Sequence, residues 1–349
     1  MRCLIAFACI IMPLTAYAQQ LPPLKLVQEE ITVSGLSSGG AMAVQLQTAF
    51  SSRITGAGIV AGAPFGCAEG RWFVATGACM QQRGPSVTYP PTVERIANVV
   101  EAVSAVIDPV EGLTDDRVYL FHGTKDETVS QASMELLRDV LGHFGVSDTQ
   151  VDYDDTFEAL HGFLTEESNN ECLLENDSYL NDCDVDMAGE ILKHLGLVQE
   201  AGEEVSANLQ TFDQALYFKT DDGFSMSDTG YVYIPTACTD TNIPCRLHIA
   251  LHGCRQGETK LGDTFPRTAG YNSWAEANRI VVLYPQVGAR FVPRPPAFAD
   301  FNPLGCWDWW GYSTGSREKA PNLDYLGKDA PQMATIAAMA AALGAPLTD

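Results

Sequence analysis

Near the start of this 349-residue chain, Gly35-Leu36-Ser37-Ser38-Gly39 fits G-x-S-x-G, the spacing that holds a serine on a sharp turn between a strand and a helix. A serine hydroxyl attacks only when a base removes its proton, so Ser37 needs a histidine, and the histidine needs an orienting carboxylate. Gly35 and Gly39 supply the small residues that such a crowded turn requires. For the acid, RVYLFH (117–122) reads as a strand that runs into GTKDETV, which puts Asp126 just past the strand's C-terminal end, on the same edge as Ser37. Glu127 is its neighbour and competitor; Asp115 and Asp116 precede the strand and fall at its wrong end. Of six histidines, His161 in EALHGFLT is the expected base, giving the order Ser, Asp, His. His143 and His194 belong to helices and His248 to a strand, whereas His122 and His252 each precede a glycine at a strand end and suit the shaping of a loop. Two backbone N–H groups must face the developing oxyanion. Ser38 follows the nucleophile, and Cys254 in LHGCRQG lies in an HG-type loop after a strand.

These groups need a sheet to hold them. Strand-like runs at 31–34, 54–61, 117–122, 150–153, 230–235, 246–251 and 280–284 alternate with helical stretches at 38–50, 90–106, 130–144, 186–195, 273–278 and 330–343. That alternation predicts a mainly parallel α/β sheet. The oxyanion strand and IVVLY after it follow the triad in sequence, although they precede the serine's strand in the usual order of a hydrolase sheet. The fold expected is therefore a circularly permuted α/β-hydrolase, with its old termini joined in the acidic stretch 199–208. The long Pro- and Trp-rich segment from Val287 to Tyr312 is expected to be functional, as long loops in compact domains usually are.

Met1–Ala18 has a basic start, an apolar run and the small-x-small end Ala16-Tyr17-Ala18, the pattern of a secretory leader. Residues 19–349 then form a single catalytic domain, and the protein is expected to be exported, extracellular or periplasmic, with no membrane span. Beyond the leader eight cysteines remain, an even set that reads as disulfides. Short loops favour Cys67–Cys79, Cys172–Cys183 and Cys238–Cys245, which leaves Cys254–Cys306. No C-x-x-C pair or H-E-x-x-H motif is present, and in the stretch around CDVDMAGEIL Lys193 occupies the position where a calcium loop needs Glu. No metal and no cofactor are expected. The formal charge of −23 disfavours nucleic acid as a partner, and a monomer is expected.

GLSSGGAMA, AGAPFGCAEG, LHGCRQG and NPLGCWDWWGY, in that order across nearly the whole mature chain, resemble the extracellular poly(3-hydroxybutyrate) depolymerases with a circularly permuted catalytic domain. EALHGFLT departs from that family's tendency to a Gly before the His. The resemblance implies a serine esterase acting on poly(3-hydroxybutyrate) or its oligomers, with Ser37, Asp126 and His161 as triad and Ser38 and Cys254 as oxyanion donors. It also implies a tryptophan beside the cleft that touches the polyester, which maps to Trp307. The nearest alternative is an esterase releasing feruloyl or acetyl groups from polysaccharide. An alternative of another class is a secreted binding protein that has lost catalysis.

Overall fold

The apolar runs at 31–34, 54–61, 246–251 and 280–284 become neighbouring strands at the centre of one sheet. The computed structural model describes residues 19–81, 90–219, 225–291, 301–314 and 322–348; the expected leader lies outside them. In chain order the first half comprises β1 (Leu26–Leu36), α1 (Ser38–Ala49), β2 (Ile54–Val60), the single turn α2 (Trp72–Val74), α3 (Val93–Val103), β3 (Arg117–Phe121), α4 (Gln131–His143), β4 (Val151–Asp154), the two-residue strands β5 (Phe163–Leu164) and β6 (Leu180–Asn181), and α5 (Met187–His194). The second half comprises β7 (Leu209–Asp213), β8 (Thr229–Tyr233), β9 (Cys245–Leu251), α6 (Glu258–Leu261), α7 (Thr264–Thr268), α8 (Tyr271–Asn278), β10 (Ile280–Tyr284), the short pair β11 (Arg290–Phe291) and β12 (Phe301–Asn302), and α9 (Pro331–Leu343).

The main sheet runs β4-β3-β2-β1-β9-β10-β8-β7, parallel from β4 through β10, with β8 antiparallel to both of its neighbours. Helices cover both faces, so the central strands are apolar on both sides rather than alternating with polar residues. Val118, Leu120, Leu247, Ile249, Val281 and Leu283 face the layer of α1, α3, α4 and α9. Tyr119, Phe121, Ala250, Val282 and Tyr284 face α5, α7 and α8.

Sheet order and chain order disagree in one informative way. The strand that ends in His252-Gly253 lies beside β1 in space but follows it by some two hundred residues in sequence. The end of α9 meets the entry to β1: the Leu24 N–H donates to the Leu343 carbonyl (2.9 Å). Gly344 caps that helix at φ 103°, where a Cβ would stand 2.4 Å from the Leu24 carbonyl oxygen. This is the permuted hydrolase sheet that the order of the motifs implies. The cysteines pair as Cys67–Cys79, Cys172–Cys183, Cys238–Cys245 and Cys254–Cys306.

Candidate active site

The turn after β1 is the tightest part of the site. Ser37 has φ 57° and ψ −118°, a conformation that costs a non-glycine residue about 1–3 kcal/mol. Its N–H donates to the Val60 carbonyl (2.8 Å) and its carbonyl accepts from the Ala41 N–H (2.9 Å), which locks the strained residue between β2 and α1. Added Cβ atoms explain both glycines. At Gly35 a Cβ would lie 2.3 Å from the backbone of Gly39; at Gly39 it would lie 2.4 Å from the carbonyl oxygens of Leu251 and His252. The elbow is thus pressed against the end of β9, which brings Ser38 beside the HG loop.

Ser38 is the first residue of α1, so its N–H has no intrahelical acceptor. In the HG loop, the Gly253 N–H donates to Gln256 Oε1 (2.6 Å) and the Arg255 N–H to the Leu304 carbonyl (2.7 Å). The Cys254 N–H between them has no acceptor among the described residues. His252 braces this loop. Its Nδ1 bonds the Gly253 carbonyl (2.7 Å) and its Nε2 accepts from the Val287 N–H (3.2 Å), while burial pushes its pKa down to about 4 and keeps the ring neutral. The role of loop shaper read from its position before Gly253 fits these bonds.

The loops that carry Asp126 and His161 are zipped together. Thr124 N–H donates to the Phe157 carbonyl (2.9 Å) and Lys125 N–H to the Ala159 carbonyl (3.1 Å). Asp126 Oδ1 accepts from the N–H groups of Thr128 (2.8 Å) and Val129 (2.9 Å), and Oδ2 accepts from His161 Nδ1 at 2.7 Å. Burial alone would raise the Asp126 pKa. The His161 bond, helped by the two backbone N–H groups, outweighs it and holds the carboxyl below its ordinary value. Glu127 is exposed, and the buried Asp116 sits at the far end of β3, bonded by Gln47 (2.8 Å).

A cleft of about 280 Å³ is lined by Ser37, Ser38, His161, Cys254, Trp309 and Trp310. Asp126 stands behind His161, away from this hollow. The aromatic wall is held by Asp308, whose carboxylate accepts from the N–H groups of Gly311 (2.7 Å), Tyr312 (2.9 Å) and Ser313 (2.9 Å). Trp310 meets the half-exposed Trp72 edge-on at 5.0 Å.

A curated poly(3-hydroxybutyrate) depolymerase of Delftia acidovorans is 40% identical over 329 residues, covering 92% of this chain and 61% of that protein. A polyhydroxybutyrate depolymerase of Talaromyces funiculosus is 34% identical over 307 residues, covering 84% of this chain and 86% of the relative. The chain belongs to the poly(3-hydroxybutyrate) depolymerase family. No general protein-family model matches the sequence. Among solved structures, a serine-to-alanine variant of a PHB depolymerase in complex with an R3HB trimer superposes with a TM-score of 0.78 at 30% identity, covering 93% of this chain and 98% of the other. The PHB depolymerase of Penicillium funiculosum gives 0.76, again at 30% identity, covering 92% and 98%. This chain spans about three fifths of the Delftia depolymerase's length.

Within this depolymerase-family cleft one sequence expectation needs correction. Trp307 is fully buried: its Nε1 donates to the His252 carbonyl (3.0 Å), its ring packs on the His252 imidazole, and its backbone N–H meets Ser38 Oγ (3.3 Å). It supports the HG loop from behind, and the tryptophans that face the cleft are Trp72, Trp309 and Trp310. Sequence reasoning also missed Met80 and Tyr179 on the cleft wall. For Trp72 a signal existed, an aromatic pair Trp72-Phe73 inside the Cys67–Cys79 loop; for Tyr179 there was none.

Proposed function

We propose that the chain hydrolyses ester bonds of poly(3-hydroxybutyrate) and its oligomers as an exported serine esterase. Ser37 Oγ attacks the ester carbonyl while His161 Nε2 takes its proton, and the negative charge that forms on the carbonyl oxygen is met by the Ser38 and Cys254 N–H groups. Collapse of this tetrahedral species breaks the ester C–O bond. The leaving alcohol oxygen receives the proton from His161, and a 3-hydroxyacyl group remains on Ser37. Water, deprotonated by His161, then attacks the acyl-enzyme, and the acid departs as the proton returns to Ser37. Asp126 keeps His161 in the tautomer with its proton on Nδ1 and stabilises the imidazolium that forms at each step.

The observation that carries this reading is the Asp126–His161 bond at the edge of a cleft that also holds Ser37 and two backbone N–H groups without acceptors among the described residues. The apolar wall of Trp72, Trp309 and Trp310 suits the methyl-bearing units of a neutral polyester. Four disulfides and the leader pattern at 1–18 support export. A substrate panel tests it: wild-type protein should release soluble acid from poly(3-hydroxybutyrate) and leave acetylated and feruloylated xylan intact. Release of acetate or ferulate with no attack on the polyester would refute the assignment.

A further inference from the structure

The mouth of the cleft carries a cation that the ester chemistry above does not use. Arg255 follows the oxyanion donor Cys254 directly and is exposed, with φ 67°. Facing it is Tyr179, whose φ is 53°. The Arg255 guanidinium donates to the Tyr179 hydroxyl (3.2 Å). Two bulky residues in the left-handed region are costly neighbours, and such strain tends to collect at working sites. Here it is held by the Arg255 N–H on the Leu304 carbonyl and by Gln256, whose Nε2 donates to the Ser178 carbonyl (2.7 Å) while its Oε1 holds Gly253. The Tyr179 ring stands edge-on to His161 at 5.9 Å. Arg255 therefore looks into the cleft from the side of the base. With His161 and Tyr179 it also lines a wide groove of about 930 Å³ that continues outward from the cleft.

The charge is unusual for its surroundings. In a chain of net charge −23, Arg255 forms no ion pair with a carboxylate among the described residues, and its partner is a neutral phenol. Lys125, in the same groove, is paired with Glu158 (3.3 Å). The carboxylates of Asp126, Glu127, Glu175 and Asp177 also line this groove, which leaves Arg255 as its one cation without a carboxylate partner among the described residues. The interior of a polyester is neutral and offers a guanidinium nothing to pair with. A free carboxylate occurs at one end of every chain. When the bond next to that end is cut, the carboxylate-bearing unit is the leaving alcohol, whose oxygen takes its proton from His161. The carboxylate then lies on the base's side, where Arg255 stands.

We propose that Arg255, with the Tyr179 hydroxyl, binds the free carboxylate of short 3-hydroxyacid oligomers on the leaving-group side of the cleft. The inference rests on the ester-hydrolase reading above and adds to it a preference for acid-ended chains. A guanidinium–carboxylate pair gains from both charge and fork geometry, which lysine reproduces only in part. The test is calorimetric titration of the Ser37→Ala variant, which cannot turn over, with the 3-hydroxybutyrate trimer as free acid and as methyl ester. The acid is expected to bind about tenfold more tightly, the scale of one charge-assisted bond in a solvated cleft. Adding Arg255→Gln should abolish that preference and leave the methyl ester's affinity unchanged, which also shows that the site is intact. Arg255→Lys and Tyr179→Phe should each keep part of it. Equal affinities with Arg255 present, a preference that survives Arg255→Gln, or binding of neither trimer would overturn the proposal. Polymer turnover by the wild-type protein tests the ester-hydrolase reading separately, because the titration needs no catalysis.

Discussion

Asp126 shows how a single carboxylate ties the chemistry to the fold. Its bonds to His161, Thr128 and Val129 exist only in the folded chain and favour the ionised form. Asp126→Asn keeps the shape but favours the wrong imidazole tautomer, and kcat should fall by about 10⁴ on a soluble 3-hydroxybutyrate ester. Exposed Glu127→Gln should leave kcat near wild type. The depressed pKa also has a sign for stability. The contribution of Asp126 is fully present above the unfolded value near 4 and is lost as pH falls through the lower folded value. Urea midpoints from pH 5 to pH 2 should therefore drop less steeply for Asp126→Asn than for the wild type. At this scale the strained turn at Ser37 and the meeting of Asp126 with His161 were legible, because the G-x-S-x-G spacing and the loops that follow β3 and β4 each carry a chemical reason. Trp307 was misread because sequence spacing does not say which of three neighbouring indoles turns inward. That choice is made by the His252 carbonyl, fifty-five residues away, which takes the indole N–H.

Among the elements, β1, α1 and β9 share one crowded junction. Gly39→Ala would drive a methyl into the carbonyls that end β9, and no flexible side chain is there to yield. Soluble protein should be scarce, or kcat reduced a hundredfold or more, the scale of a lost oxyanion donor. The Cys254–Cys306 bridge fixes the backbone at Cys254 and closes a long loop, a constraint worth about 4 kcal/mol by chain entropy. Beneath the junction, burial pushes the pKa of His248 down to about 3 and that of His252 to about 4. The unfolded chain takes protons near pH 6.5 that these rings refuse, so stability should decline as pH falls from about 6.5 toward 4. His248→Asn should flatten that decline in thermal-melting curves; an unchanged slope would remove His248 from the account. The central strands were readable as β-branched runs because both faces are buried. β7, Leu209–Asp213, was not, since a short edge strand buries only Leu209 and Phe212 and its remaining residues read as loop.

On the scale of the molecule, the permutation was legible from the order of the motifs rather than from the strands, which alternate with helices in either arrangement. What stayed hidden was the surface around the cleft. Trp72 and Phe73 are 44% and 65% exposed beside the aromatic wall, and Leu173 and Leu174 are exposed at the groove. Apolar groups gathered at one mouth suit a flat, water-poor substrate better than a dissolved one. Phe73→Ser with Leu174→Ser, both outside the cleft lining, should weaken adsorption to a polyester film severalfold and leave hydrolysis of a soluble ester almost unchanged. Equal loss on both substrates would remove these side chains from adsorption. The most direct test of the central claim is the release of soluble 3-hydroxybutyrate from an amorphous poly(3-hydroxybutyrate) suspension by the wild-type protein and by Ser37→Ala. Steady release by the wild type and a rate lower by about 10⁶ for the variant are expected, as for serine triads generally. Comparable release by both, or an untouched polymer with the wild type, would contradict it.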